Sequence, residues 1–170
     1  MAVTLRTSAR VVLLDEDGAV LLFCGSDPAT ADAPRWWFTI GGAVEPGEAL
    51  VDAAAREVAE ETGLQVMPTE LVGPVWRREA VFEFDGAVIH SEELFFVHRT
   101  RRFVPATGGH TELERRTIHG HRWCDATMID ELVAKGETVY PLQLGELLDD
   151  ANMLADVQSG TRERQLQVIR

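Results

Sequence analysis

Apolar positions open the chain in two runs, Val11–Leu14 and Ala19–Phe23, joined by Asp15-Glu16-Asp17-Gly18. The Asp-Gly that closes the joint is a hairpin signal, so the pattern predicts paired strands. Residues 25–34 (GSDPATADAP) are dense in turn formers and read as a loop. Trp36-Trp37-Phe38-Thr39-Ile40 reads as a strand running into Gly41-Gly42. From about Glu48 to Thr62 the period changes: Val51, Ala54, Ala55 and Val58 share one helical face, and Gly63 is a natural stop. Strands are predicted over roughly 71–76, 80–84 and 87–98, with Asp85-Gly86 as a second tight hairpin. The polar stretch 101–117 reads as a loop of functional size, His119–Trp123 as the last strand, and 126–134 and 142–154 as helices. The tail from Ser159 reads as frayed or loosely docked. No repeat or linker interrupts the pattern, which predicts one mixed α/β domain over 1–158 followed by a tail over 159–170.

Composition adds limits rather than structure. A chain of 170 residues, 45% hydrophobic and 26% charged, has the length and make-up of one globular domain with a real core. Sixteen basic and 28 acidic residues give a net charge of -12, which argues against a broad contact with a nucleic acid polymer. It leaves small phosphorylated ligands open, because a bound divalent cation reverses the local sign. The two cysteines, Cys24 and Cys124, form no CxxC or Cys/His cluster and read as small reduced residues. Arg6 and Arg10 break up the first residues, so no signal peptide is read there. No apolar run approaches the ~20 residues of a membrane span, and a cytoplasmic location is the default expectation.

Chemistry concentrates between Gly42 and Leu64. On the predicted helix Glu57, Glu60 and Glu61 stand at i, i+3 and i+4, so three carboxylates project from one side. Their mutual repulsion and their place near the helix C-terminus both disfavour the arrangement. A hard divalent cation relieves both, and oxygen-only ligation suits Mg²⁺ or Mn²⁺. Three glutamates alone equally describe a solvated helix face. The wider spacing separates the two readings: Gly42, five residues, Glu48, seven residues, Arg56-Glu57-Val58, one residue, Glu60-Glu61, one residue, Gly63-Leu64. Nine specified positions match by chance in roughly one window per billion at ordinary residue frequencies. Arg56 is also placed to make a charge-assisted fork to Glu48.

This segment resembles the Nudix box, with every defining position matched. The resemblance implies an α/β/α sandwich with a mixed β-sheet. It also implies metal-dependent hydrolysis of a phosphoanhydride bond in a nucleoside diphosphate linked to another moiety. By the same resemblance Glu57 and Glu61 are the main ligands of a Mg²⁺ ion, for which Mn²⁺ can substitute. Glu60 completes the site or orients the attacking water, and the Gly41 carbonyl joins the shell. Arg56, Glu48, Gly42 and Gly63 hold the motif together. Ile40 departs from the proline that many relatives carry before the two glycines.

A further carboxylate outside the box is expected, with Glu93 as first candidate and Glu112 and Glu114 behind it. For substrate, Trp36, Trp37, Phe38, Phe82 and Phe84 offer stacking surfaces, and Arg35, Arg77 and Arg78 offer phosphate contacts. Arg35, Trp37 and Arg77 are the foremost of these. His119 and His121 share one side of a strand but lack a third metal ligand. Family marks for ADP-ribose (a downstream proline) and for dinucleoside polyphosphates (a tyrosine) are absent at their usual distance, the nearest residues being Pro74 and Tyr140. The remaining alternative is a Nudix-like module that senses or binds a nucleotide without turnover. A homodimer is common in such proteins and is one possible assembly here.

Overall fold

The computed structural model describes residues 3–157 and 166–170. Two strands enter first, β1 (Val3–Leu14) and β2 (Val20–Gly25), meeting at Leu14 and Val20 across the expected turn. Asp15 closes that turn by accepting from the backbone N–H of Asp17 and Ala19, both at 2.9 Å, while Gly18 takes φ +86°. After this point β2 diverges, and β4 (Ile40–Ala43) takes its place beside β1, pairing antiparallel over Ser8–Val11. Gly41 and Gly42 thus form part of a strand laid against the central strand of the sheet, not a turn.

The sheet is mixed. β1 runs parallel to β6 (Ala87–Arg99) along its whole length, and β6 forms a long hairpin with β5 (Val72–Phe84). The predicted strands at 71–76 and 80–84 are one continuous strand: residues 76–84 stay in register with β6, with Arg77 paired across to Glu92 and Arg78 to Glu93. β3 (Trp36–Phe38), β7 (Ile118–Cys124) and β8 (Thr138–Tyr140) extend the sheet on the β2 side. β8 was not foreseen, since three residues are too few to show a period. The strand at His119–Trp123 is therefore not the last.

Side-chain parity along β1 sorts the helices into two layers. Ala9, Val11 and Leu13 pack with Ala53, Ala54 and Val58 of α1 (Leu50–Thr62) on one face. Val12 and Leu14 face the other way, onto α3 (Ala126–Ala134) and α4 (Leu144–Ala155) through Ile129, Leu132, Leu147 and Leu148. Both faces of β1 are covered, so Val11 to Leu14 are all fully buried. This is the expected α/β/α sandwich. Cys24 and Cys124 are free and buried. Among the described residues no helix is long and apolar enough to cross a membrane.

Two further expectations need correcting. The 101–117 stretch is not all loop: Thr111 caps a short helix, α2 (Glu112–Thr117), in a reciprocal box with Glu114. The tail over 159–170 was expected to be loosely held; residues 159–165 lie outside the described residues, but 166–170 are docked. β9 (Gln167–Val168) adds a parallel edge strand to β5, and Ile169 is buried at 5% exposure in the core beneath α4. One well-placed isoleucine explains the docking, and a two-residue strand carries no readable alternation.

Candidate active site

The site begins with the turn ahead of α1. Gly47 takes φ +76° and Glu48 N–H donates to the Glu45 carbonyl at 3.0 Å, so the helix starts at Leu50 rather than at Glu48. Glu48 is thus left outside the helix with its carboxylate free to fork. Arg56 donates to it through Nε (2.8 Å) and Nη2 (2.9 Å), and Nη2 also reaches the Ala43 carbonyl at 3.1 Å. This paired guanidinium holds the Glu48 carboxyl down at about 2. The fork ties the β4 end, the turn and the helix into one piece. Gly63 closes α1 in the left-handed region at φ +80°, its N–H donating to Ala59.

Gly42 lets the helix come close to β4: a Cβ there would lie 2.5 Å from Glu57 Oε1, whereas one on Gly41 would run into the Ala9 carbonyl of β1. Gly41 N–H donates to Glu61 Oε2 at 3.1 Å, fixing that carboxylate against the strand. Glu57 and Glu61 are therefore deeper than a helix surface would place them, at 7% and 2% exposure. Burial raises the carboxyl pKa of both, most strongly for Glu61, where the neighbouring Glu57 adds to the shift.

A third acid joins them from the far side of the chain. Oxygen atoms of Glu57, Glu61 and Glu114 all lie within 4.8 Å of one another. Glu114 was a secondary candidate; its place follows from the segment before it, which is stitched to the end of α1. Ala106 N–H donates to the Thr62 carbonyl at 2.8 Å, and His110 Nε2–H donates to the Glu61 carbonyl at 2.9 Å. A Cβ on Gly109 would fall 2.5 Å from the Glu60 carbonyl, so the segment lies directly on the helix.

Other expected residues are placed differently. Glu60 turns away from the cluster: its Oε2 accepts from Arg56 Nη1 at 3.1 Å, and its side chain is 41% exposed. Glu93 is buried between Arg78 (3.0 Å) and Arg10 (3.6 Å) and is not one of the three clustered acids. The Gly41 carbonyl accepts from Arg10 Nη1 at 3.2 Å. Arg77 pairs with Glu79 and Glu92, pointing to the side of β5 opposite Arg78. Arg35 is exposed ahead of β3, and Trp37 is half-buried against the α3–α4 core. Glu112 lies two residues before Glu114 on α2 but outside the cluster.

A NUDIX domain family model covers residues 4–143. The chain belongs to the Nudix hydrolase family. Curated relatives include the nucleoside triphosphatase NudI of Escherichia coli strains K12 / DH10B and O1:K1 / APEC. Each is 42% identical over 59 residues, 35% of this chain and 41% of the relative. The chain thus spans about two fifths of the length of the curated relatives it matches. Among solved structures, the MutT protein from Methanosarcina mazei Go1 superposes with a TM-score of 0.56 at 21% identity, covering 92% of this chain and 99% of that one. A C. elegans Ap4A hydrolase complex gives 0.54 at 21%, covering 89% and 99%. The E. coli dihydroneopterin triphosphate pyrophosphohydrolase gives 0.52 at 23%, covering 85% and 92%. At these identities the structures speak for the shared Nudix fold.

Proposed function

We propose that this Nudix protein hydrolyses a phosphoanhydride bond in a nucleoside di- or triphosphate derivative, with Mg²⁺ (or Mn²⁺) held by Glu57, Glu61 and Glu114. The observation that carries the reading is the meeting of three carboxylates within 4.8 Å, two of them buried. Buried acids at that spacing are unfavourable unless protonated or bridged, and an all-oxygen donor set fits a hard divalent cation. Such a cation supplies Lewis acidity toward the phosphoryl oxygens and offsets charge developing in the transition state.

The chain's own groups supply orientation and proton transfer. Gly41 N–H holds Glu61 in a fixed position, and Arg56 Nη1 does the same for Glu57. Glu60 keeps Oε1 without a partner among the described residues, while Arg56 fixes its Oε2. To take the proton of a water that attacks phosphorus, its side chain would have to rotate from this exposed position toward the cluster. The P–O bond to the bridging oxygen breaks, and the electron pair leaves on the departing phosphate. The nucleoside triphosphatase name of the E. coli relatives favours a triphosphate among the possible substrates.

The test is turnover of a nucleotide panel by the purified protein. With Mg²⁺ it releases nucleoside monophosphate, phosphate or pyrophosphate from at least one member. Glu61→Gln abolishes that release. Turnover that persists in EDTA, or survives Glu57→Gln and Glu61→Gln together, refutes the proposal. Tight binding of a nucleotide with no product over hours would instead establish a sensing module.

A further inference from the structure

On β1, Arg6, Ser8 and Arg10 share parity with the buried Val12 and Leu14, so two arginines occupy inward positions of a core strand. Arg78 on β5 joins them, because Glu93 pairs in register with both Ser8 and Arg78. Three guanidinium groups therefore gather around the single carboxylate of Glu93, in a chain whose net charge is -12. Apolar side chains fill the next inward positions of the same strand, so packing alone does not call for this charge.

The donors are only partly used. Arg10 spends Nη1 on the Thr39 and Gly41 carbonyls, at 3.3 and 3.2 Å, and turns Nε to Glu93. Arg78 donates to Glu93 through Nη1 alone. Arg6 makes no hydrogen bond among the described residues, and its Nε is buried without a partner. Burial and the neighbouring Arg10 charge both lower the Arg6 pKa, whereas Glu93 and Glu57 act the other way. Aromatic rings hold two of the three groups extended: Phe82 lies 5.9 Å from the Arg6 guanidinium carbon and Tyr140 lies 5.0 Å from that of Arg78.

This group of charges adjoins the carboxylate cluster. Arg10 passes over Gly41 so closely that a Cβ there would meet its Cδ at 2.5 Å, and the Gly41 N–H is the group bonded to Glu61. Gly41 alone stands between Arg10 and Glu61.

We infer that Arg6, Arg10 and Arg78 form a subsite for a phosphate group of the substrate beyond those held at the carboxylate cluster, so that the preferred substrates end in a free terminal phosphate. This rests on the hydrolase reading above for its place in catalysis, but not for the binding itself. A dianionic terminal phosphate matches the two positive charges left after Glu93 is paired, and presents acceptors to the unused guanidinium donors. The uncharged sugar of a nucleoside diphosphate sugar offers hydroxyl acceptors but no charge to match.

The experiment is calorimetric titration of inorganic tripolyphosphate into the metal-free protein in EDTA, against sulfate at matched ionic strength. Saturable binding is expected, and it persists in the Glu57→Gln/Glu61→Gln double variant. Arg6→Gln weakens it roughly tenfold, while Arg6→Lys, which keeps the charge, recovers most of the affinity. Arg78→Gln weakens it independently, and Glu93→Gln tightens it by removing the competing carboxylate; melting temperatures confirm that each variant is folded. Tripolyphosphate binding no tighter than sulfate, or unchanged by Arg6→Gln and Arg78→Gln, overturns the subsite. In turnover with Mg²⁺, Arg6→Gln raises KM for a nucleoside triphosphate but not for a nucleoside diphosphate sugar. Equal effects on both also overturn it. Tripolyphosphate binding in a protein that turns over no nucleotide upholds the subsite and overturns the hydrolase reading alone.

Discussion

Without divalent metal, Glu61→Gln should make this protein more stable at pH 8. The wild-type cluster brings carboxylate oxygens within 4.8 Å, and at an effective dielectric of about 20 each charged pair at that distance repels by about 3.5 kcal/mol. Proton uptake by the cluster limits the real cost, leaving about 1–2 kcal/mol to be recovered by a neutral glutamine that can still accept from Gly41 N–H. For a chain of this length that is a rise of about 2–8 °C in melting temperature. The pH dependence follows from the sign of the shift. The Glu61 carboxyl is raised in the fold, so the folded state holds its proton more tightly than the unfolded chain does. Metal-free wild-type protein therefore loses stability as pH climbs from the ordinary carboxylate value of 4.5 through the raised one. The gain from Glu61→Gln is small at pH 4 and grows toward pH 8. Metal reverses the ranking: Mg²⁺ at about 100 times its Kd adds about 2.7 kcal/mol to the wild type and far less to the variant. Differential scanning fluorimetry in EDTA and in Mg²⁺, across pH 4 to 8, reads all of this. A variant that melts lower than wild type in EDTA at pH 8, or that gains as much from Mg²⁺, refutes the reasoning.

Gly42→Ala places a methyl group 2.5 Å from Glu57 Oε1. The carboxylate must swing aside, and Mg²⁺ affinity measured by titration should fall about tenfold with melting in EDTA nearly unchanged. Glu48→Gln removes an acid whose folded value is about 2, so the wild type holds its advantage above pH 4.5 and loses it as pH falls toward 2. Allowing for solvent screening of a partly exposed pair, that advantage is about 1–2 kcal/mol, and acid-denaturation curves of the two proteins should converge near pH 2. Ile169→Ala removes a side chain only 5% exposed beneath α4 and should cost about 2–4 kcal/mol by urea denaturation. A cost below about 0.5 kcal/mol would mean that the C-terminal residues are not docked in solution.

The helix face and the turn before it were legible because their spacing is fixed by local geometry. Gly42, Glu48, Arg56 and Gly63 each answer a constraint within about twenty residues of chain, so a linear pattern records them. Partners brought in by topology were not. Glu114 reaches the cluster only because residues 106–110 are bonded to the end of α1, and the one local mark that sets it apart from Glu112, the Thr111 capping box, speaks for a helix start and not for a cluster. Glu93 looked the better candidate from its neighbours, yet register sets it against Arg78 and near Arg10. A signal did exist for the arginines: Arg6 and Arg10 alternate in phase with Val12 and Leu14, and charged residues at inward strand positions ask for a partner. Arg77 and Arg78 show the same rule, since one residue of register separates a surface ion pair from the interior.

The acids also occupy the end of α1 that ordinarily repels them. Helix C-termini carry partial negative charge on unsatisfied carbonyls, which adds to the burden of buried carboxylates. Here the Glu61 carbonyl accepts from His110, the Thr62 carbonyl from Ala106 N–H and the Ala59 carbonyl from Gly63 N–H. Three of the last carbonyls are thereby given donors, and the dipole is blunted where Glu57 and Glu61 need it to be. The segment that supplies two of those donors is the one that delivers Glu114. His110, itself only 6% exposed and set edge-on to Phe23, anchors that segment to the core from which the acids project. Stability of the helix end and completion of the carboxylate set are thus one structural requirement, met by residues some fifty positions beyond the motif. The box alone does not build this site; the strap across its helix is the other half.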